Sequence, residues 1–125
     1  MNARKQIDYW RTSADEDFAA AQSLLEKGHL RHCLFFAHLA IEKMLKAHVT
    51  RRTSDIPPRI HNLVRLAEIA ELKLDSDKAE SLREFGVYQL EGRYPDSEQI
   101  TLDLQIAERE ISKAKEVLEW LKRQL

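Results

Sequence analysis

Glycine, proline and cysteine are scarce in this chain, with 3 Gly, 3 Pro and 1 Cys among 125 residues. So little turn-forming material argues against a many-stranded sheet and its closely spaced turns. The lone thiol, Cys33, has no internal partner for a disulfide and fits a reducing compartment. No apolar stretch follows the charges of residues 1–6, so no secretory leader is expected. The longest apolar run, Cys33 to Ala37, falls far short of a membrane span. We therefore expect a cytoplasmic protein with no membrane association. An excess of one charge sign is missing as well: the net formal charge is −1, so the overall field neither favours nor disfavours nucleic acid.

What is present points to helix. Hydrophobic residues make up 43% and charged residues 33%, and the recurrent Ala, Leu, Glu, Lys and Arg are strong helix formers. The length suits one domain, residues 1–125, large enough for a core without disulfide or metal staples. Ile7, Trp10, Ala14, Phe18, Ala21 and Leu25 recur every three or four residues, the trace of one helix face, and Gly28 supplies a stop. Leu30 begins a second run through Cys33, Leu34, Ala37, Ile41, Met44, Leu45 and His48, with Phe36, Ala40 and Ala47 on a neighbouring face. A helix apolar on two sides belongs in the middle of a bundle.

Residues 51–59 read as a loop. A third, short helix fits Leu63, Leu66, Ala67 and Ala70. Residues 75–77 offer cap material for a fourth that carries Ala79, Leu82 and Phe85 and is weakened at Gly86. Gly92 to Gln99 reads as a second loop around Pro95. The last helix is the clearest, with Ile100, Leu104, Ala107, Ile111, Ala114, Leu118, Leu121 and Leu125 at alternating steps of four and three. The fold expected is an all-α, antiparallel up-and-down helical bundle of about five helices. Such a bundle would put the end of the second helix and the start of the third at one end.

Charge is unevenly spread. From Lys43 to Arg65 six bases (Lys43, Lys46, Arg51, Arg52, Arg59, Arg65) face one acid, Asp55, whereas Glu68 to Glu84 is net acidic. The basic segment reads either as a phosphate-binding surface or as cations complementing a helix C-terminus. His38 and Glu42 have ligand spacing, but there is no His-Glu-x-x-His run and no Cys/His cluster. Glu42 stands four residues before Lys46, the favourable order for a helix ion pair, so no metal is expected. Cys33, although near several histidines, reads as a small core residue. With no Gly-rich phosphate loop and no Gly-x-Ser-x-Gly elbow, no cofactor is implied. No strand is available to carry the paired aspartates of a nucleotidyltransferase.

Four segments together resemble the HEPN family. They are Trp10-x-x-x-Ala14-x-x-Asp17, the run from Ala37 to Ala47, the run from Pro57 to Leu66 containing His61, and Val87-Tyr88 leading to Arg93-Tyr94-Pro95-Asp96. The resemblance implies an antiparallel helical bundle, frequently a homodimer, associated with nucleotides or RNA. It also implies a minimal nucleotidyltransferase as protein partner, often in a toxin–antitoxin pair. Ribonuclease members share an Arg followed after four to six residues by a His, with the cation stabilising charge and the imidazole handling a proton. Here the positions after Arg93 are Glu98, Gln99 and Ile100. The one formal match, Arg31 and His38, lies in the second helix and reads as coincidence. The expectation is thus a non-catalytic nucleotide-binding or interaction module, with a metal-independent endoribonuclease toxin as the alternative. The candidate ligand- or phosphate-binding residues are Lys43, Lys46, His61, Arg93, Tyr94 and Asp96.

Overall fold

Asn2 opens the first helix by accepting the Lys5 backbone N–H at 3.1 Å, and α1 runs Ala3–Glu26. The computed structural model describes residues 2–90 and 101–125. Gly28 stops α1 with φ +78°. Its N–H donates to the Leu25 carbonyl at 3.0 Å and the His29 N–H to Leu24 at 2.9 Å, the paired closure that a left-handed glycine allows. The chain reverses at once into α2, Leu30–Thr53. Asp17 on α1 meets Lys43 on α2, and Trp10 meets Lys46, so the two helices are antiparallel. Ala14 and Ala21 on α1 and Ala37, Ala40 and Ala47 on α2 are all fully buried. Small side chains at this contact let the two backbones approach.

α2 is the central element, packed against α1, α3, α5 and α6. Its two-sided apolarity therefore has the expected cause. It also extends further than residues 51–59 suggested: Arg51, Arg52 and Thr53 are helical, and Ser54, with φ 54°, ends the helix. Residues 54–62 then form the connection to α3, Leu63–Ile69, which Asn62 caps by accepting the Arg65 N–H at 3.0 Å. α4 spans Ser76–Phe85, capped by Asp75, and α5 is the four-residue turn Val87–Leu90 beyond Gly86. α6 runs Leu104–Gln124 and buries Ala107, Ile111, Ala114, Val117, Leu118 and Leu121.

All six segments are helical, and no strand occurs among the described residues. Two expectations about placement need correction. First, α2 and α3 do not meet end to end. His61, just before α3, bonds Glu42 in the middle of α2, while Arg52 near the end of α2 pairs with Glu71 beyond α3. The connection 54–62 therefore climbs back along α2, and α3 runs in the same direction as α2. α6 also runs parallel to α2, with His48 against Leu121 and Arg51 against Gln124. α4 runs against α6, with Lys78 at Trp120 and Glu84 at Lys113.

Second, the last helix starts later than its apolar repeat. Residues 101–103 are not helical, Asp103 is the N-cap, and Leu104 is 52% exposed rather than part of the seam. The expected second loop, Gly92 to Gln99, and Ile100 lie outside the described residues.

The cap gives a direct check on where α6 begins. Asp103 accepts the Ile106 N–H at 2.8 Å. Asp103→Ala is expected to cost ~1 kcal/mol in urea unfolding, whereas Leu104→Ala should change stability by less than ~0.5 kcal/mol. A larger loss at Leu104 than at Asp103 would contradict this start.

Candidate functional site

His38, Glu42 and Lys46 are spaced four apart and lie on one face of α2, in the interior of the protein, with relative exposures of 1%, 3% and 8%. Ionisable groups at this depth require partners, and Glu42 supplies them. Its Oε2 accepts Lys46 Nζ at 3.1 Å, and its Oε1 accepts His61 Nδ1 at 3.0 Å. His38 Nε2 lies 3.4 Å from the same Oε1. On its other side His38 Nδ1 donates to the Phe85 carbonyl at 3.0 Å, since a carbonyl oxygen only accepts. The Lys46 ammonium also sits 5.5 Å from the Trp10 ring centroid, adding a cation–π contact. Three separate parts of the chain thus converge on one carboxylate.

Burial by itself would push the Glu42 carboxyl up. The contacts with His38, Lys46 and His61 outweigh it, and the carboxyl is lowered from 4.5 to about 2. Glu42 is therefore ionised at neutral pH. Cys33 behaves in the opposite way: burial raises its thiol to about 11, which fits an inert core residue.

The six bases of the Lys43–Arg65 segment have structural partners in five cases. Lys43 Nζ bonds Ser13 Oγ and pairs with Asp17, each at 2.8 Å. Lys46 bonds Glu42, Arg51 donates to the carbonyls of Gln124 and Leu125, Arg52 pairs with Glu71, and Arg65 pairs with Glu68 at 3.1 Å. Arg59 lies exposed on the 54–62 connection. Arg51 and Arg52 occupy the last turn of α2, where cations complement the helix dipole. Buried His48 donates Nε2 to the Leu121 carbonyl at 2.7 Å, a further tie between α2 and α6, and burial lowers its pKa.

Of the residues singled out from sequence, Lys46 and His61 come together through Glu42. Lys43 turns instead to α1. Arg93, Tyr94 and Asp96 lie outside the described residues. His61 differs from the buried members of the cluster because its side chain is 52% exposed. It forms one wall of an open cleft of about 440 Å³, together with Asn62, Leu63, Val64, Leu82, Arg83 and Gly86. Sequence reasoning missed the central part played by Glu42 and the contribution of Arg83. The available signal was His38, Glu42 and Lys46 at i, i+4 and i+8 on an otherwise apolar helix face. The formal pair Arg31 and His38 is unsuited to acting on a ligand from solvent, because His38 is buried and bound to Phe85.

A family model for the HEPN domain matches residues 7–124. The crystal structure of TT1696 from Thermus thermophilus is similar with a TM-score of 0.84 at 21% identity, over 96% of this chain and 98% of that one. The crystal structure of ST0689, an archaeal HEPN homologue, is similar with a TM-score of 0.76 at 20% identity, over 94% and 96% of the two chains. No curated protein matches the sequence. No described helix is long and apolar enough to cross a membrane, and the described residues contain no cluster of metal-ligating side chains.

The low pKa of Glu42 carries a pH signature. A carboxylate with a depressed folded-state pKa stabilises the fold above its unfolded value and ceases to do so as pH falls through the folded one. At neutral pH Glu42→Gln is expected to cost about 3 kcal/mol, because Lys46 stays buried without its counter-ion. The stability gap between wild type and variant should then narrow as pH falls from about 4.5 towards about 2. Urea unfolding of both proteins across that range measures it. A gap that is constant with pH would contradict the ionised cluster.

Proposed function

The chain belongs to the HEPN domain family, and from that premise we propose that it is a non-catalytic binding module that takes a nucleotide or RNA in the His61 cleft and pairs with a minimal nucleotidyltransferase. The observation that carries this reading is the half-exposed His61, held by a buried carboxylate on the wall of a cleft that also includes Asn62 and Arg83, the latter paired with Glu80 at 2.6 Å. An imidazole that combines a polar edge with restricted motion suits recognition of a phosphorylated, hydroxyl-bearing ligand. Arg93, Tyr94 and Asp96 are proposed to add contacts to the same ligand. Against a ribonuclease stands the chain itself, which lacks a histidine in the required place after Arg93. A cytoplasmic homodimer acting within a toxin–antitoxin pair is the setting we propose.

Isothermal titration with ATP, AMP and a short single-stranded RNA is expected to give saturable binding to at least one of them. His61→Ala should weaken that binding by roughly tenfold, about 1.4 kcal/mol. No heat with any of the three ligands would refute the binding reading. Co-expression with the nucleotidyltransferase of an adjacent reading frame, followed by light scattering, tests the pairing separately.

The Glu42–His61 contact also favours a second reading, a metal-independent endoribonuclease. A carboxylate that receives Nδ1–H leaves Nε2 to accept a proton, the arrangement of a general base. In that reaction the 2′-hydroxyl gives its proton to Nε2, its oxygen bonds to phosphorus, and the bond to the 5′ oxygen breaks, that oxygen taking up a proton from water. The products are a 2′,3′-cyclic phosphate and a 5′-hydroxyl. Wild type would then cleave RNA, while His61→Ala and Arg93→Ala would each cut at less than about one-hundredth of its rate. The absence of cleavage by wild type excludes this reading and leaves the binding module.

A further inference from the structure

We propose that Glu42 is a positioning residue for His61, holding its proton on Nδ1 so that Nε2 faces a cleft ligand as a hydrogen-bond acceptor and selects one with a ribose hydroxyl. This deepens the reading of the His61 cleft as a nucleotide or RNA site and rests on it for the ligand.

The Phe85 carbonyl only accepts, so His38 carries a proton on Nδ1, and its ring is fixed between α2 and the last turn of α4. At 1% exposure it has no freedom to turn outward. Its Nε2 lies 3.4 Å from Glu42 Oε1, a longer contact than the 3.0 Å that His61 makes to the same oxygen. Glu42 Oε2 is taken by Lys46, so the carboxylate is held from both sides. An ionised carboxylate has no proton to give, so at Oε1 the donor is His61 Nδ1–H.

The neutral imidazole has only one N–H. With that hydrogen committed to Glu42, Nε2 across the ring is a bare acceptor. His61 is also held in place by the chain around it. Asn62 caps α3 immediately after it, so the imidazole is set at the start of a helix rather than on a free tether. A site with a fixed acceptor discriminates against analogues lacking the matching donor, since its own polar group is then left unpaired. A ribonucleotide has a 2′-hydroxyl to offer, and a deoxyribonucleotide does not.

Two measurements test this. The first needs no ligand: ¹⁵N NMR of His61, at a pH where the spectrum is that of the neutral ring, should show the Nδ1–H tautomer in wild type. In Glu42→Gln, verified as folded by circular dichroism, the Nε2–H form should appear. A wild-type ring protonated on Nε2 overturns the positioning proposal, as does unchanged Nδ1–H occupancy in the folded variant. Should the variant not fold, the wild-type tautomer still decides.

The second measurement compares ribo- and deoxyribo-oligonucleotides of the same sequence. Wild type should prefer the ribo form by roughly 5- to 10-fold, the worth of one hydrogen bond, and His61→Ala should lose that preference. Equal binding of the two by wild type overturns the selectivity. Failure of both to bind refutes the cleft reading and the ligand half of the proposal with it, while the tautomer result separately reports on the positioning.

Discussion

A single carboxylate in the middle of α2 holds together parts of the chain that are remote from one another in sequence. Glu42 is almost fully buried, and an ion in that position is stable only if its charge is answered and its oxygens are bonded. Lys46 supplies the charge from one turn further along the helix, with Trp10 of α1 beneath the ammonium. His61 arrives from the connection before α3, and His38 links the cluster to the end of α4 through Phe85. Polar contacts of this kind demand particular distances, whereas apolar contacts tolerate many arrangements. The cluster thus favours one docking of α1, α3 and α4 on α2.

The segments that resemble the family acquire a common physical meaning in this light. Trp10 and Asp17 of α1 contact Lys46 and Lys43 of α2, and His61 contacts Glu42. Three of the four segments therefore meet along one stretch of α2. From the fourth, Tyr88 is buried and packs edge-on to Phe85, with ring centroids 5.9 Å apart. The residues that identify the family are thus largely those that assemble the scaffold. Of them, His61 is the one that couples the buried cluster to a cleft open to solvent.

The basic segment illustrates how far a charge count can be from a binding surface. Lys43, Lys46, Arg51, Arg52 and Arg65 are all engaged within the protein, by ion pairs or by carbonyls at the end of α6. Any attraction for phosphate must compete with these contacts. The cleft beside His61 offers a shaped site instead, in which a few groups with set directions matter more than net charge.

The helical class, the number of substantial helices, the turn at Gly28, the cap at Asp75 and the core faces of α1, α2 and α6 are all legible along the chain. These follow from local periodicity and capping, which need only near neighbours along the chain. The Glu42–Lys46 pair is legible too, because four-residue spacing fixes it within one helix. Packing sets the return of α3 alongside α2, since the path of residues 54–62 depends on where His61 finds a partner. The exposure of Leu104 was hidden for a similar reason: the apolar repeat continued past a cap whose backbone geometry no periodicity reveals. The meeting of His38, Glu42 and His61 was likewise beyond sequence, because it joins groups that are remote in the chain and adjacent only once the helices have packed.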